Sequence, residues 1–250
     1  MIALILTIKI DMLVGKSGNC FMTKTILTIT LLAELLCAGC ATNSKYQAHD
    51  LESIEWCDLW ISHANEANLP RVLLIGDSIT RAYYSEVEKN LAGKAYVGRL
   101  ASSAFVSDPI LLKQVAMVLD EYHFDVVHFN NGMHGWQHSE AEYAQDLPRL
   151  FQTIRQHAPQ ARLIWANTTP VKVSPSPASE HAGEATDERI TERNRIAAEV
   201  MKAQGIPIDD LNAPMAGHAE YHSDNVHFNE QGVALQAAQV AAQIGAVLNR

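Results

Sequence analysis

Short apolar runs recur along this chain at residues 71–75, 94–100, 125–131, 162–168 and 206–209, and a helix-length segment separates each run from the next. The first, Val72-Leu73-Leu74-Ile75, has no polar alternation, so a strand built from it must be buried on both faces. Strands of that kind, alternating with helices, require a parallel sheet covered by helices on both sides. The expected fold is therefore α/β, with a central parallel sheet of about five strands. The last helix is predicted over residues 230–248, where Val233, Ala237, Val240, Ala241, Ile244 and Val247 share one face toward the sheet. A short helix is also predicted over residues 51–67, before Pro70 leads into the first strand. With 48% hydrophobic residues in a chain of 250, residues 51–250 hold enough apolar material for one large domain.

Gly76-Asp77-Ser78 directly follows the first apolar run and precedes a predicted helix start, which puts Ser78 on a strand-to-helix turn. In a doubly wound sheet ligands bind outside the carboxyl ends of the strands, and a helix N-terminus there offers backbone N–H groups to negative charge. A serine hydroxyl is a poor nucleophile at neutral pH. It needs a base, and the base needs a partner that fixes its tautomer. Asp224-Asn225-Val226-His227 supplies a carboxylate and an imidazole three positions apart, just before the final helix. Ser78, His227 and Asp224 are accordingly the candidate nucleophile, base and orienting acid.

These blocks resemble the SGNH, or GDSL-type, esterase and lipase superfamily. Gly76-Asp77-Ser78-Ile79 matches its first block and Asp224-x-x-His227 its last, and the resemblance runs from about Arg71 to the C-terminus. It implies a flavodoxin-like three-layer sandwich and ester hydrolysis without a cofactor. The middle blocks depart from the family pattern. Where the family places Gly-x-Asn-Asp, this chain reads Gly132-Met133-His134-Gly135, which puts His134 at the position of the oxyanion-binding asparagine, with Asn131 as the alternative donor. Ser107, ahead of a helix capped by Asp108 and begun by Pro109, matches the family's oxyanion glycine, and Ser103 is a weaker match. Asn130 and Asn131 have a second reading, as ties that close a strand end.

Trp136 and Tyr83, with Tyr84, are candidates for a surface on which a sugar ring stacks. His134 and His138 have the spacing of helical metal ligands but flank Gly135-Trp136 in a loop, so no metal site is expected. His218 and His222 are expected on a solvent-facing loop near the site. The Ser-, Pro-, Ala- and Glu-rich stretch 174–186 is expected to form a long loop beside it.

The first forty residues are expected to be a leader. From Met22, Lys24 provides a positive start, residues 26–36 an apolar stretch, and Cys37-Ala38-Gly39-Cys40 small residues before a cysteine. This resembles a bacterial lipoprotein signal with Cys40 as the lipidated first residue of the mature chain, although Cys37 stands where leucine is usual and Glu34 interrupts the apolar stretch. A transmembrane anchor is the competing reading, but residues 26–39 are too few for a span of about 20 apolar residues. Either Met22 is the functional start or residues 1–40 form one long leader. Residues 41–50 then tether the domain, which implies export to the cell envelope as an outer-membrane lipoprotein whose only membrane contact is its lipid anchor.

Residues 1–40 carry Lys9, Lys16 and Lys24 against Asp11 and Glu34, so the remainder is one unit more negative than the −9 of the whole chain. An acidic body disfavours nucleic acid as a partner. Of four cysteines only Cys57 would remain unmodified, which leaves no internal disulfide. The expected activity is serine-dependent hydrolysis of a carboxylic ester on a small molecule or glycan, first a carbohydrate O-acetyl group. The alternatives are a lipid or lysophospholipid acyl hydrolase and a non-catalytic glycan-binding envelope lipoprotein.

Overall fold

The computed structural model of the chain describes residues 51–172 and 185–249. The expected leader with Cys40, the expected tether and residues 174–184 of the expected loop lie outside them. The expected runs form five strands: β2 (Arg71–Gly76), β3 (Tyr96–Ser102), β4 (Val126–Phe129), β5 (Arg162–Ala166) and β6 (Ile208–Asp209). They pair in parallel in the order β3-β2-β4-β5-β6.

A sixth strand, β1 (Cys57–Ile61), pairs antiparallel with β3 at the edge, and here the sequence expectation was wrong. Residues 51–67 are not a helix. Pairing β1 against β3 satisfies the backbone groups that β3 would otherwise present as an open edge, and such pairing overrides local propensity. Gly98 lets β1 close in, because a Cβ there would come within 2.8 Å of the Ile61 side chain. Residues 51–56 continue irregularly and bring Glu52 and Trp56 to the rim.

Helices cover both faces. On one, α1 (Ser78–Asn90) and α5 (Glu230–Leu248) pack Tyr83, Val87, Ala237, Val240 and Ile244 against Val72, Leu74, Val126 and Ile164. On the other, α2 (Pro109–Glu121), α3 (Glu140–His157) and α4 (Asp187–Ala203) bury Val115, Leu147, Leu150 and Met201 against Leu73, Ile75, Phe129 and Trp165. Neighbouring residues of β2 thus enter opposite cores, which is why Val72 to Ile75 are all apolar.

The chain leaves β2 toward one face and β4 toward the other. Their carboxyl ends, side by side, form the crevice where a doubly wound sheet places its ligand. Each helix that starts near this rim is capped by a short polar side chain: Asp77 accepts from Ile79 N, Asp108 from Ile110 N, and Asn229 from Gln231 and Gly232 N.

Candidate active site

Ser78 is the first residue of α1, directly after its cap Asp77, so the helix N-terminus and the hydroxyl share one turn. Its partners arrive from the loop before α5. Asp224 Oδ1 accepts from the backbone N–H groups of Val226 (2.8 Å) and His227 (2.7 Å), a tight turn that fixes the carboxylate against its own imidazole. Asp224 Oδ2 is 2.7 Å from His227 Nδ1, and His227 Nε2 is 2.8 Å from Ser78 Oγ. A carboxylate only accepts, so Nδ1 carries the proton and Nε2 presents its lone pair to the serine hydroxyl.

The loop itself is held at both ends. Ser223 N donates to His227 O, Asn229 N donates to Tyr221 O, and Lys172 N donates to Asn225 O from the chain beyond β5. Partial burial pushes the Asp224 carboxyl up, but the two amides and the imidazole outweigh it and hold the group below its ordinary value.

The candidate oxyanion residues lie on the two neighbouring strand ends. Asn130 N donates to Ile75 O, which brings the start of the Asn131–Gly135 loop next to the Gly76–Ser78 turn. Asn130 Nδ2 donates to Ala166 O (2.7 Å) and Thr168 Oγ1 (3.1 Å), tying β4 to β5 as its alternative reading had it. Asn131 Nδ2 donates to Ala104 O (2.8 Å) and its Oδ1 is buried without a partner. His134 Nδ1 lies 3.0 Å from both oxygens of Glu52, while its Nε2 is enclosed and has no partner. Burial alone would push this imidazole down, but the Glu52 hydrogen bond and the charges of Asp77, Glu52 and Glu55 hold it above the ordinary histidine value. Ser107 directly precedes the α2 cap, with its hydroxyl buried and unpartnered. Ser103 is otherwise engaged: its hydroxyl donates to Glu55 and accepts from Trp56 N.

Several expectations need correction. Tyr83 is 1% exposed, with its ring in the α1/α5 core, and Trp136 is 7% exposed. The guanidinium of Arg193 sits 4.1 Å from the centre of the Trp136 ring and that of Arg189 5.1 Å. Neither aromatic offers a face to a sugar, because each is used in packing; Tyr84 is buried as well. His222 is buried against Phe228 rather than solvent-facing, whereas His218 is exposed and pairs with Glu220. His138 stacks on Phe105 and lies 3.5 Å from the Glu142 carboxylate, apart from the Glu52 pairing of His134. Among the described residues no group of three or more His, Cys, Asp or Glu side chains is placed to hold a metal.

Two residues that sequence reasoning missed shape this rim. Arg193, fully buried, donates to the carbonyls of Gly132 (2.9 Å), His134 (2.7 Å) and Gly135 (3.0 Å), and Glu52 accepts from Gly135 N (3.1 Å) as well as from His134. Glu52 is 82 residues from His134. Only the unforeseen β1 pairing brings the two together, so no local signal marks them.

Residues 74–235 match the model of the GDSL-like lipase/acylhydrolase family, most of the described chain and all of the Ser78, His227 and Asp224 relay. The chain belongs to that family. It is an ester hydrolase of the SGNH type, and solved structures share its fold. An aryl esterase from M. smegmatis superposes with a TM-score of 0.58 at 15% identity, covering 71% of this chain and 99% of its own. A lipase/acylhydrolase from Enterococcus faecalis gives 0.56 at 20% identity, over 71% and 96%. A carbohydrate acetylesterase from Sinorhizobium meliloti gives 0.58 at 13% identity, over 71% and 99%. No curated protein matches the chain in sequence.

Proposed function

We propose that this hydrolase cleaves carboxylic esters through an acyl-enzyme on Ser78, and that its substrate is an O-acetylated carbohydrate. The observation that carries the first half is the unbroken relay from Asp224 through His227 to Ser78, with contacts of 2.7 and 2.8 Å. In this reading His227 Nε2 takes the Ser78 proton as Oγ attacks the carbonyl carbon. Asp224 stabilises the imidazolium that results. The imidazolium returns the proton to the departing alcohol, and the acyl group stays on Ser78. Water, activated by the same imidazole, then releases the acid.

The negative oxygen of each tetrahedral intermediate is met by the backbone N–H groups of Ser78, at the α1 N-terminus, and of Ser107, together with His134 or Asn131. All of these groups belong to the protein, so the chemistry requires no cofactor.

A small acyl group is supported by the close packing beside the Ser78 turn, where Asp77, Thr80, Asn130, Met133 and Thr168 border a space of only about 10 Å³. A polar alcohol is supported by the groove of about 360 Å³ that includes His222 of the loop carrying Asp224 and His227, with Lys172, Asp187, Asn212 and His218 in its walls. Two of the similar solved structures are named as carbohydrate esterases, those from Sinorhizobium meliloti and Talaromyces cellulolyticus.

The test is a hydrolysis screen with acetylated sugars and with esters of increasing acyl length, run with Ser78→Ala as control. Acetylated sugars should turn over fastest and rates should fall with chain length. A maximum at long acyl chains would replace the carbohydrate assignment with a lipid substrate. We also propose, from the Met22–Cys40 signal alone, that the mature enzyme is anchored in the cell envelope through acylated Cys40.

A further inference from the structure

Glu52 stands in the segment ahead of β1, yet it holds the loop after β4. One carboxylate accepts from His134 Nδ1 with both oxygens at 3.0 Å and from Gly135 N at 3.1 Å. On the other side of the same loop Arg193 engages the carbonyls of Gly132, His134 and Gly135. The loop is therefore clamped by an anion on its amide side and a cation on its carbonyl side. The imidazole and the Glu52 carboxylate are both mostly shielded, each 17% exposed.

Trp56 completes the enclosure. Its ring meets that of His134 edge-on at 6.2 Å and carries Arg81, one turn along α1 from Ser78, at 4.6 Å. A neutral imidazole that donates from Nδ1 would leave the Nε2 lone pair enclosed without a donor, an arrangement that is costly for a buried acceptor. Glu52, with both oxygens on Nδ1, favours the protonated ring, whose charge is matched further by Glu55 and by Asp77 from the α1 cap; Nε2–H is then an enclosed donor with no acceptor among the described residues, left for a negative oxygen.

Trp56 touches both the His134 ring and Arg81 on the first turn of α1, which sets the imidazole toward the end of the helix that carries Ser78, and the charge of Asp77, the residue before Ser78, acts on it. We propose that Glu52 is a positioning residue for the ester hydrolysis, holding His134 beside the Asp77–Ser78 turn so that the positive charge of the imidazole stabilises the oxyanion formed on Ser78. The inference rests on Ser78 being the nucleophile. It assigns the role of the family's asparagine to a charged pair, His134 with Glu52, instead of to Asn131, whose amide already donates to Ala104 O.

The experiment follows hydrolysis of p-nitrophenyl acetate by the full chain across pH for the wild type, Glu52→Gln, Glu52→Asp, His134→Asn and the Glu52→Gln/His134→Asn double variant, with melting temperatures measured in parallel. Glu52→Gln should lower kcat roughly tenfold, the size of one charge-assisted hydrogen bond, with KM nearly unchanged. It should also shift the alkaline fall of kcat to lower pH, because the imidazole loses its counter-charge. Glu52→Asp, which keeps the charge, should recover part of both. In the His134→Asn background Glu52→Gln should have little further effect on kcat.

The proposal is overturned if Glu52→Gln lowers only the melting temperature and leaves kcat and the pH profile intact, or if the two losses in kcat simply multiply. If Glu52→Gln does not fold, Glu52→Asp decides: a partial loss of kcat that disappears in the His134→Asn background supports the proposal, and wild-type kcat and pH profile, or a loss that persists in the His134→Asn background, overturns it. Ser78→Ala is assayed alongside. Full turnover in that variant defeats the reading of the site itself, whatever Glu52 does.

Discussion

Asp224 divides its carboxylate between two tasks, and that division makes its substitutions informative. Oδ1 accepts two backbone N–H groups and Oδ2 the imidazole, so an asparagine that keeps the Oδ1 contacts must turn its NH₂ toward His227 Nδ1. Nδ1 would then have to accept, Nε2 would carry the proton, and the imidazole could no longer act as a base. Asp224→Asn should therefore lower kcat by on the order of 10⁴ despite its matched shape, and Asp224→Ala, which forces no tautomer, should fare no worse. Near-wild-type kcat in Asp224→Asn would show that another acid orients His227.

The pH dependence has a definite sign. Because the Asp224 carboxyl is held below its ordinary value, its contribution is complete above that value and is lost only as pH falls through the depressed one. A decline in rate between neutral and mildly acidic pH thus does not come from Asp224. At the third block, His134→Ala should lower kcat about a hundredfold with a smaller change in KM, His134→Asn should recover part of the loss, and Asn131→Ala should be mild. A severe Asn131→Ala beside a silent His134→Ala in the same kinetics would return the donor role to the amide. The relay residues were legible because each sits at a motif whose spacing has a chemical reason. Glu52 and Arg193 were not, since their partners are distant in sequence.

At the scale of elements, the run Val72–Ile75 announced a doubly buried strand, and Asp108-Pro109 announced a helix start that the structure places at that position. The edge strand β1 escaped because its residues, with burial mixed along its length, carry no clean alternation; pairing with β3 decides it. In the loop between β4 and α3, Gly135 holds a left-handed backbone. Gly135 has φ of +71°, and a Cβ there would fall 2.2 Å from the Phe105 ring. Gly93, with φ of +72°, has open space around it. Gly93→Ala should therefore cost only backbone strain, about 1–2 kcal/mol, whereas Gly135→Ala adds overpacking and should cost roughly 2 kcal/mol more. Urea denaturation of both variants measures the difference; equal losses would mean that the Phe105 ring yields freely and does not fix the loop.

For the whole molecule, the parallel sheet and the position of the crevice followed from alternating strands and helices, while the aromatic residues expected to bind sugar were needed for the core. A sequence shows that a ring is present but not which neighbour claims its face: Arg193 covers Trp136, and the α1/α5 core takes Tyr83. The envelope assignment rests on residues outside the described structure and needs its own test. Wild-type protein should partition into detergent and incorporate labelled fatty acid, and Cys40→Ser should do neither; a mature chain that begins beyond Cys40 without lipid would refute the anchor. The central claim is that Ser78 is the nucleophile of an ester hydrolase, and its most direct measurement is intact-mass and peptide analysis after treatment with a fluorophosphonate. The wild type should gain one adduct, mapped to Ser78 and accompanied by loss of esterase activity, and Ser78→Ala should gain none. An unmodified Ser78 in inactivated enzyme, or an adduct at another residue, would contradict it.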